Sequence, residues 1–210
     1  YTGEDALSLH DALPISPIEE IAEEIASVVS AECARLGIDI PVICVEPGRA
    51  VIGTSTFTLY EVGTTKDVTV DVIDDNGVST GRTAVRKYVS VDGGMSDNAR
   101  PALYGADYSV RIANRVSDAE PALVRIAGKH CESGDILVYA DYLPGDVHPG
   151  DLLAIPATGA YCWSLSSNYN YLTRPPVVAV KDGVARVIVR GETEEDLLAR
   201  DMGVIRKASK

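Results

Sequence analysis

The feature that most limits how this chain can fold is a long series of short β-rich segments, which begins near residue 54. Valine, isoleucine, threonine and tyrosine dominate these segments, and turn signals such as Asp182-Gly183 separate them. The predicted strands are residues 54–62, 67–73, 84–91, 108–116, 122–126, 136–139, 152–155, 177–180 and 184–189. The series predicts a mostly antiparallel β-barrel or sandwich domain with Greek-key-like connections over residues 54–210, with a short terminal helix at 192–201.

A different pattern precedes this series. Apolar residues from Ile18 to Leu36 recur at steps of three and four, and Gly37 is suited to end a helix. Residues 38–45 then form an apolar run of the length of a strand. Because a helix, a short turn and a buried strand follow one another in α/β barrels, this part of the chain predicts an α/β unit.

The first 16 residues, YTGEDALSLHDALPIS, match neither pattern. They resemble a translated sequencing adapter, so residues 1–16 are interpreted as a non-native segment and left out of the fold. The native protein is then expected to continue upstream of Pro17.

The composition disfavours two classes of partner. The net charge is −12 and the isoelectric point is about 4.6, so the surface is expected to repel nucleic acids and anionic membranes. No apolar run approaches the ~18 residues of a membrane span. The four cysteines have no CxxC spacing and are interpreted as reduced thiols of a cytoplasmic protein. No residues have the spacing of metal ligands, so no metal site is expected.

Four segments carry polar residues suited to chemistry, and the first is Glu46-Pro47-Gly48-Arg49. It directly follows the predicted barrel strand, and groups in that position face the active site of a barrel. The glycine would let backbone N–H groups approach a phosphate, and the arginine would add positive charge. The alternative is a strand-ending turn with a solvated arginine, which these four residues alone favour.

The second segment is glycine-rich and runs from Asp92 to Asp97, followed by Arg100 and Tyr104. Arg100 could bind a substrate carboxylate through two parallel N–H bonds. The alternative is a surface loop with an exposed arginine, which is favoured when the segment is taken alone.

In the third segment, HCESGD, a thiol stands beside a carboxylate. Cys131 could hand a proton to a carbanion and Glu132 could hold an ammonium group, although a buried and inert thiol is the usual state of a free cysteine. The fourth segment begins at Gly159 and clusters aromatic and amide groups. The hydroxyl of Tyr161 could bind a phosphate there, and a packed aromatic loop is the alternative.

The order of the four segments is more specific than any one of them. EPGR, VSVDGGMSDNARPALYGADY, GKHCESGD and GAYCWSLSSNYNYLTRP resemble segments of the diaminopimelate decarboxylases, which belong to the alanine-racemase-like pyridoxal-phosphate decarboxylases. The resemblance covers residues 17–210, and DGGMSDN and CESGD are its most specific parts. One difference is residues 72–83, which look like an insertion that extends a hairpin.

The resemblance implies that the chain is the carboxy-terminal half of a two-domain enzyme. Residues 17–53 would be the last helix and strand of a (β/α)8 barrel that binds pyridoxal phosphate, and residues 54–210 would be the C-terminal β domain. The cofactor would be attached to a lysine further upstream, because no lysine of this chain follows an early barrel strand. We therefore expect the isolated chain to be inactive and partly unfolded around residues 17–50.

The resemblance also implies roles for single residues. Those that would bind pyridoxal 5′-phosphate are Glu46, Pro47, Gly48, Arg49 and Tyr161. Those that would contact the substrate, meso-2,6-diaminopimelate, are Arg49, Arg100, Tyr104, Glu132 and Tyr161. Cys131 would be the catalytic proton donor in the decarboxylation to L-lysine. Cys131 and Glu132 would reach into the active site of a partner subunit, so a homodimer with shared active sites is expected.

Three other interpretations remain open at this point. A non-catalytic homologue could bind and regulate a decarboxylase, although the joint presence of the donor and substrate groups argues against it. An ornithine or arginine decarboxylase is a second possibility, but Arg100 favours a substrate whose far end carries a carboxylate, since an unpaired buried guanidinium costs about 2–5 kcal/mol. A free-standing β-barrel binding module fits the strands and leaves the four polar segments unexplained.

Overall fold

The computed structural model describes residues 17–46, 48–74 and 77–203 of the chain. Residues 1–16, interpreted as non-native, lie outside the described residues, and so do residues 204–210 and Pro47 of the first polar segment. Within the described ranges, no helix combines the length and the apolar character that crossing a membrane requires.

The structure confirms the predicted first helix, α1, which spans Ile18–Leu36. The helix ends at Gly37, whose φ of 66° lies in the left-handed region that glycine adopts without strain. The N–H of Ile38 then donates to the carbonyl of Cys33, which closes the last turn. Most of the apolar side chains of α1 are nevertheless exposed, and Cys33 is its buried residue.

The prediction of a buried strand at residues 38–45 is wrong for this structure, because these residues form no strand and their side chains are exposed. A strand needs hydrogen bonds from a neighbouring strand, and the described strands of this chain pair with one another instead. A short helix, α2 (Gly48–Ile52), and a 3₁₀ turn (Gly53–Ser55) then lead into the first strand.

Eight β-strands follow among the described residues. They are β1 (Phe57–Ile73), β2 (Ser79–Val91), β3 (Arg111–Ile112), β4 (Pro121–Ala127), β5 (Ile136–Pro144), β6 (Leu152–Pro156), β7 (Val177–Lys181) and β8 (Val184–Val189). Six of them form one sheet in the order β3-β6-β1-β2-β4-β5, and β7 and β8 form a separate antiparallel pair. Neighbours in the larger sheet are antiparallel except β2 and β4, which run parallel. The predicted, mostly antiparallel β domain is therefore confirmed as a mixed sheet with a small antiparallel sheet.

The two edges of the larger sheet approach each other through one side chain. Asp141 of β5 accepts a hydrogen bond at 2.7 Å from the N–H of Val110, which directly precedes β3. The same carboxylate lies 3.4 Å from the guanidinium of Arg111. The sheet therefore curves until its edge strands meet, although no backbone ladder joins them among the described residues.

Two predicted strand boundaries differ from the structure. The first two predicted strands form the single strand β1, because the register shift at Gly63 bends the strand without ending it. Residues 108–116 contain only the two-residue β3. Beyond β3, the N–H of Leu152 donates to the side chain of Asn114 at 2.9 Å instead of to a backbone carbonyl, and the ladder stops.

The core of the β domain combines apolar packing with one buried ion pair. The largest fully buried apolar side chains are those of Ile126, Leu137, Leu143, Leu153 and Ile155. Asp151 is also fully buried and receives two hydrogen bonds from Arg115, at 2.7 and 2.8 Å. These bonds lower the pKa of Asp151 to about 2, so the carboxylate stays charged inside the domain.

Three short helices complete the domain: α3 (Arg100–Tyr104), α4 (Cys162–Leu165) and α5 (Glu194–Leu197), which continues into a 3₁₀ turn at Leu198–Arg200. The terminal helix was predicted, and Thr193 begins it with a capping box that involves Asp196. The sequence analysis did not predict α3 or α4, because elements this short show no helical periodicity.

Candidate active site

Two of the four polar segments leave the sheet at the same edge, because β2 and β4 are parallel neighbours. Ser90 near the end of β2 pairs with Ala127, the last residue of β4. Residues 92–98 follow β2 and residues 128–135 follow β4, so the two loops emerge side by side. We call them the first loop (92–98) and the second loop (128–135).

Asp135, at the end of the second loop, joins the two loops. Its buried carboxylate accepts the N–H of Met95 from the first loop at 2.6 Å and the N–H of His130 from the second at 2.8 Å. A Cβ atom at Gly94 or at Gly128 would lie 2.6 or 2.1 Å from this carboxylate, so glycine alone lets the backbone approach it. Asp135 therefore fixes the spacing between the loops.

A second carboxylate supports the first loop from the side of the sheet. Asp97 accepts hydrogen bonds from the hydroxyl of Tyr60 on β1 and from the N–H of Gly94, the latter at 2.8 Å. Burial raises the pKa of Asp97 and that of Tyr60. A Cβ atom at Gly93 would lie 2.2 Å from the Tyr60 ring, so the first loop packs directly on β1.

The second loop presents Cys131 and Glu132 next to each other. The Cys131 side chain is exposed, and its Sγ lies 3.6 Å from Oε1 of Glu132. The same Oε1 accepts a hydrogen bond from the Tyr169 hydroxyl at 2.6 Å, and the Asn170 amide lies 3.5 Å from both carboxylate oxygens. The bond from Tyr169 is the main cause that lowers the pKa of Glu132, so Glu132 is an anion at neutral pH.

His130 belongs to the second loop, and its side chain reaches the first loop. The sequence analysis did not select it as a site residue. Its Nε2 lies 3.0 Å from the Ser96 hydroxyl, and its ring centre lies 5.4 Å from that of Tyr169. The one signal for it in the sequence was its position next to Cys131. The imidazole thus connects the first loop, the second loop and the segment that carries Tyr169.

Arg100 begins α3 directly after the first loop. Its Nη1 donates a hydrogen bond at 2.9 Å to the hydroxyl of Tyr108, and its guanidinium carbon lies 5.6 Å from the centre of the Tyr161 ring. Its Nε is buried and has no hydrogen-bond partner among the described residues. The structure therefore brings Arg100 together with Tyr161, whereas Tyr104 at the other end of α3 is 67% exposed.

The fourth polar segment packs against the residues that follow α2. The N–H of Gly159 donates to the carbonyl of Gly53 at 3.0 Å, and a Cβ atom at Gly159 would lie 2.1 Å from the carbonyl oxygen of Ile52. Tyr161 has a φ of 70°, a strained value for a bulky residue that is often found at functional sites. The contact at Gly159 thus joins the segment of Tyr161 to the turn that follows the first polar segment.

The first polar segment is exposed throughout its described residues, Glu46, Gly48 and Arg49. Gly48 and Arg49 begin α2 instead of forming only a turn, and Pro47 lies outside the described residues. The guanidinium of Arg49 and the hydroxyl of Tyr161 have no hydrogen-bond partner within the described part of the chain. Both groups are therefore available to a ligand.

An ion pair that the sequence did not indicate holds the segment of Tyr169 in place. Arg174 donates to Glu192 at 2.6 Å and to the side-chain oxygen of Asn168 at 2.7 Å. The backbone N–H of Arg174 also donates to Glu192, and this bond is the main cause that lowers the pKa of Glu192. Because the two charged residues are 18 positions apart, no local pattern could reveal the pair.

The family follows from the part of the chain that carries this site. Residues 54–159 include both loops and Arg100, and they match the model of the pyridoxal-dependent decarboxylase C-terminal sheet domain. The chain belongs to the pyridoxal-dependent decarboxylase family. The two loops and the parallel strand pair beneath them are therefore parts of a decarboxylase sheet domain.

Curated relatives of this decarboxylase-family chain have the same domain and a longer sequence. The diaminopimelate decarboxylase of Mycobacterium bovis is 55% identical over 186 residues, and that of Bacillus subtilis is 46% identical over 183 residues. These alignments cover 89% and 87% of this chain but 39% and 38% of the relatives. The chain therefore spans about two fifths of the length of the curated relatives it matches.

Two solved structures of diaminopimelate decarboxylases have a similar fold. The diaminopimelate decarboxylase of M. jannaschii superposes with a TM-score of 0.68 at 31% identity, over 87% of this chain and 37% of that chain. The Helicobacter pylori diaminopimelate decarboxylase, solved in complex with L-lysine, superposes with a TM-score of 0.64 at 30% identity. That alignment covers 87% of this chain and 39% of the other.

The chemistry of the decarboxylase-family site is that of proton donors and charged binding groups. Within residues 17–46, 48–74 and 77–203, no cluster of three or more histidine, cysteine, aspartate or glutamate side chains could hold a metal ion. The site presents a thiol, a carboxylate, two guanidinium groups and a tyrosine hydroxyl instead. Such groups can bind an anionic or cationic ligand and transfer a proton to it.

Proposed function

We propose that this chain is part of a diaminopimelate decarboxylase, which converts meso-2,6-diaminopimelate to L-lysine and CO2 with pyridoxal 5′-phosphate. The observation that carries the proposal is the contact of the exposed Cys131 with Glu132 on the second loop of a decarboxylase-family sheet domain. A thiol that can donate a proton and a carboxylate that can hold an ammonium group suit the reaction and its substrate. The 55% identity to the Mycobacterium bovis diaminopimelate decarboxylase supports the same substrate.

In this proposal, residues 17–53 are the end of the cofactor-binding barrel, and residues 38–45 become its last strand only in the full-length enzyme, where the rest of the barrel supplies a neighbouring strand. The exposure of apolar side chains in this part, such as Val42 at 92% and Val45 at 63%, supports an origin inside a larger domain. The greater length of the relatives supports it too. We expect the isolated chain to release no CO2 from the substrate, and measurable release by the pure chain would contradict this expectation.

The residues proposed to bind the cofactor are suited to its phosphate group. Arg49 and Tyr161 offer donors without partners among the described residues, and a Cβ atom at Gly48 would meet no atom within 4 Å, so the backbone there is accessible. Glu46 and Pro47 complete the segment. When bound, pyridoxal phosphate supplies an electron sink for the charge that remains when CO2 leaves.

Glu132 and Arg100 are proposed to recognise the far end of the substrate, which carries an ammonium and a carboxylate. Glu132 remains anionic because the Tyr169 hydroxyl donates to it, so it can pair with the ammonium. Arg100 would pair with the carboxylate, with contributions from Arg49 and Tyr104. A substrate without this carboxylate would leave the guanidinium of Arg100 unpaired, which disfavours ornithine or arginine.

Cys131 is proposed to donate the proton that completes the reaction. Its exposed Sγ would deliver the proton to the carbon from which CO2 has departed. The contact with Glu132 and the anchoring of the loop by Asp135 keep the thiol in one position. Replacement of the thiol proton by solvent would complete the cycle.

The proposed enzyme is a homodimer in which Cys131 and Glu132 act in the partner's site. Mixed dimers test this arrangement, with one subunit carrying Cys131→Ala and the other Arg100→Ala. If the site is shared, each mixed dimer contains one intact site, and an equimolar mixture recovers about a quarter of the wild-type activity. If both residues act within one subunit, the mixture stays as inactive as its components.

We place the enzyme in the cytoplasm, without a nucleic-acid or membrane partner. The four cysteines are free, which supports a reducing compartment. The net charge of −12 supports the absence of polyanionic partners. Fractionation of the source cells with an antibody against the sheet domain would test this placement.

The decisive experiment uses the full-length reading frame recovered upstream of Pro17 from the source DNA. The protein is assayed for release of CO2 from meso-diaminopimelate with added pyridoxal phosphate. Wild-type activity should be lost in Cys131→Ala and in Arg100→Ala. Asp118→Asn, which changes an exposed residue of the sheet domain outside the proposed site, is the control and should remain active.

The outcomes distinguish the proposed function from its alternatives. Activity on ornithine or arginine instead would show that the assignment of Arg100 is wrong. No activity on any of these substrates would favour the non-catalytic homologue. Full activity of Cys131→Ala would retain the reaction and remove the proposed proton donor.

A further inference from the structure

A closed series of polar contacts begins and ends at Arg100. Its Nη1 donates to the Tyr108 hydroxyl at 2.9 Å, and this hydroxyl lies 3.7 Å from Sγ of Cys162. The Cys162 thiol donates to Oδ1 of Asn98 at 3.4 Å, and the backbone N–H of Arg100 approaches the same oxygen at 3.4 Å. The four residues come from the first loop, from α3, from the segment before β3 and from α4.

The directions of these bonds are fixed by the chemistry of the groups. A guanidinium has no acceptor, so the Tyr108 oxygen must accept from Arg100. The Tyr108 hydroxyl can donate its own proton to Cys162 when the Cys162 thiol donates to Asn98. Burial raises the pKa of the Cys162 thiol and that of Tyr108, so both groups keep their protons at neutral pH.

The series leaves a defined part of Arg100 free. With Nη1 engaged by Tyr108, neither Nε nor Nη2 has a hydrogen-bond partner among the described residues, and Nε is buried. These two nitrogens form one edge of the planar guanidinium, and two parallel donors on one edge match the two oxygens of a carboxylate. A carboxylate on this edge would also satisfy the buried Nε.

We propose that Tyr108 is a positioning residue that holds Arg100 so that this edge faces the distal carboxylate of the substrate, and that it thereby determines specificity for substrates with that carboxylate. The inference rests on the proposed function for the identity of the substrate. Tyr108 would touch neither the substrate nor the cofactor. It would act through Arg100, with Cys162 and Asn98 holding the Tyr108 hydroxyl in place.

A purely structural role for Tyr108 predicts a different result. Tyr108 packs against the apolar core, and its ring centre lies 5.8 Å from the guanidinium carbon of Arg100. Tyr108→Phe keeps the packing and this ring contact and removes the hydroxyl alone. An effect of the Phe variant therefore reports on the hydrogen bond to Arg100.

The test compares wild type and Tyr108→Phe in the full-length enzyme. We expect KM for meso-diaminopimelate to rise about tenfold, because one hydrogen bond to a charged group no longer orients Arg100. We expect kcat to stay within about twofold, since Cys131 is untouched. Inhibition by L-lysine, which keeps the distal carboxylate, should weaken in parallel, whereas inhibition by cadaverine, which carries no carboxylate, should be unchanged.

Two further variants complete the test. The Arg100→Ala background is inactive, so the dissociation constant of L-lysine replaces KM as the readout there. Tyr108→Phe should not change this constant further, because there is no guanidinium left to orient. Tyr142→Phe, which removes the hydroxyl of an exposed tyrosine on β5, should behave as wild type.

Three results would overturn the inference about Tyr108. An unchanged KM in Tyr108→Phe would show that the hydroxyl does not position Arg100. An equal rise in the inhibition constant of cadaverine, or an undiminished effect in the Arg100→Ala background, would show a general structural role. A wild-type enzyme that does not decarboxylate meso-diaminopimelate would instead refute the proposed function, and this is measured first.

Discussion

Two parts of this chain are both rich in apolar residues, yet one buries them and the other exposes them. In the sheet domain (57–189), residues such as Ile126 and Leu153 are completely buried. In the leading segment (17–55), Val28 is 61% exposed and Val42 is 92% exposed. The difference shows that apolar sequence alone does not produce a core. Neighbouring strands must supply the opposite surface, and the sheet domain contains its own neighbours.

The same division runs through the candidate active site. Cys131, Glu132 and Arg100 lie on the sheet domain, where buried carboxylates and glycine contacts already fix the loops that carry them. Glu46 and Arg49 lie on the leading segment, and both side chains are exposed. The sheet domain therefore provides an ordered half of the site, and the position of the other half depends on what packs around the leading segment.

Hydrogen exchange gives the largest expected contrast between the two parts. In the isolated chain, amides of β2 and β4 should exchange slower than those of residues 38–46 by a factor on the order of 10³ or more, because the strands open only with the whole domain. In the full-length protein, residues 38–46 should become protected if they form a barrel strand. Equal protection in the two proteins would contradict the proposed origin of the leading segment.

Two truncations to alanine, one in the sheet domain and one in the leading segment, compare how tightly the two parts are packed. Ile126→Ala should lower the free energy of unfolding by about 4 kcal/mol, because it opens a cavity in a fully packed core. Val28→Ala on α1 should change it by about 0.5 kcal/mol or less in the isolated chain, because the Val28 side chain is exposed there. Urea denaturation followed by circular dichroism measures both. A comparable loss in the two variants would mean that α1 is packed in solution.

The β-rich pattern predicted most of the strands, but not the feature that assembles the site. Alternating residues indicate a strand wherever one face is buried, which is why β4 and β6 lie close to their predicted positions. The parallel pairing of β2 with β4 could not be predicted from the sequences of these two strands, because it depends on the path of the chain between them. That pairing is what places the two loops side by side.

The four polar segments of the sequence predicted the chemical groups of the site. The hydrogen-bond partners of these groups were visible only in the structure. Cys131 and Glu132 were recognisable as neighbours in the sequence, and Arg100 by its glycine-rich context. Their supports, such as Tyr169 for Glu132 and Tyr108 for Arg100, lie on other elements. No local spacing could have identified these pairs.

Removal of the buried ion pair should destabilise the sheet domain nearly as much as the core truncation. Arg115→Ala leaves the Asp151 carboxylate buried without its main partner, and we expect a loss of about 3 kcal/mol at pH 7. Arg35→Ala, which breaks an exposed pair with Glu32 on α1, should leave the free energy of unfolding nearly unchanged. Both values come from urea denaturation of the isolated chain.

The pH dependence of the Arg115→Ala effect follows from the lowered pKa of Asp151. The folded value of about 2 lies below the ordinary 3.8, so the pair contributes fully above pH 3.8 and its contribution is lost as the pH falls toward 2. The stability difference between wild type and Arg115→Ala should therefore shrink over that range. A difference that stays constant down to pH 2 would show that the ion pair is not its cause.

The smallest expected effect concerns the spacing between the two loops. Asp135→Asn keeps the size of the side chain, but an amide has one oxygen for the two N–H groups of Met95 and His130. One buried N–H is left without an acceptor, at about 2 kcal/mol, and we expect the second loop to shift relative to the first. In the full-length enzyme kcat should fall and KM should rise, because Cys131 and Glu132 both move with the second loop while Arg100 stays with the first. Asp118→Asn, at an exposed aspartate, is the control and should leave both constants unchanged. If Asp135→Asn raises KM alone, the carboxylate supports substrate binding and not the position of Cys131, and the ordered half of the site would then be less rigid than the sheet that carries it.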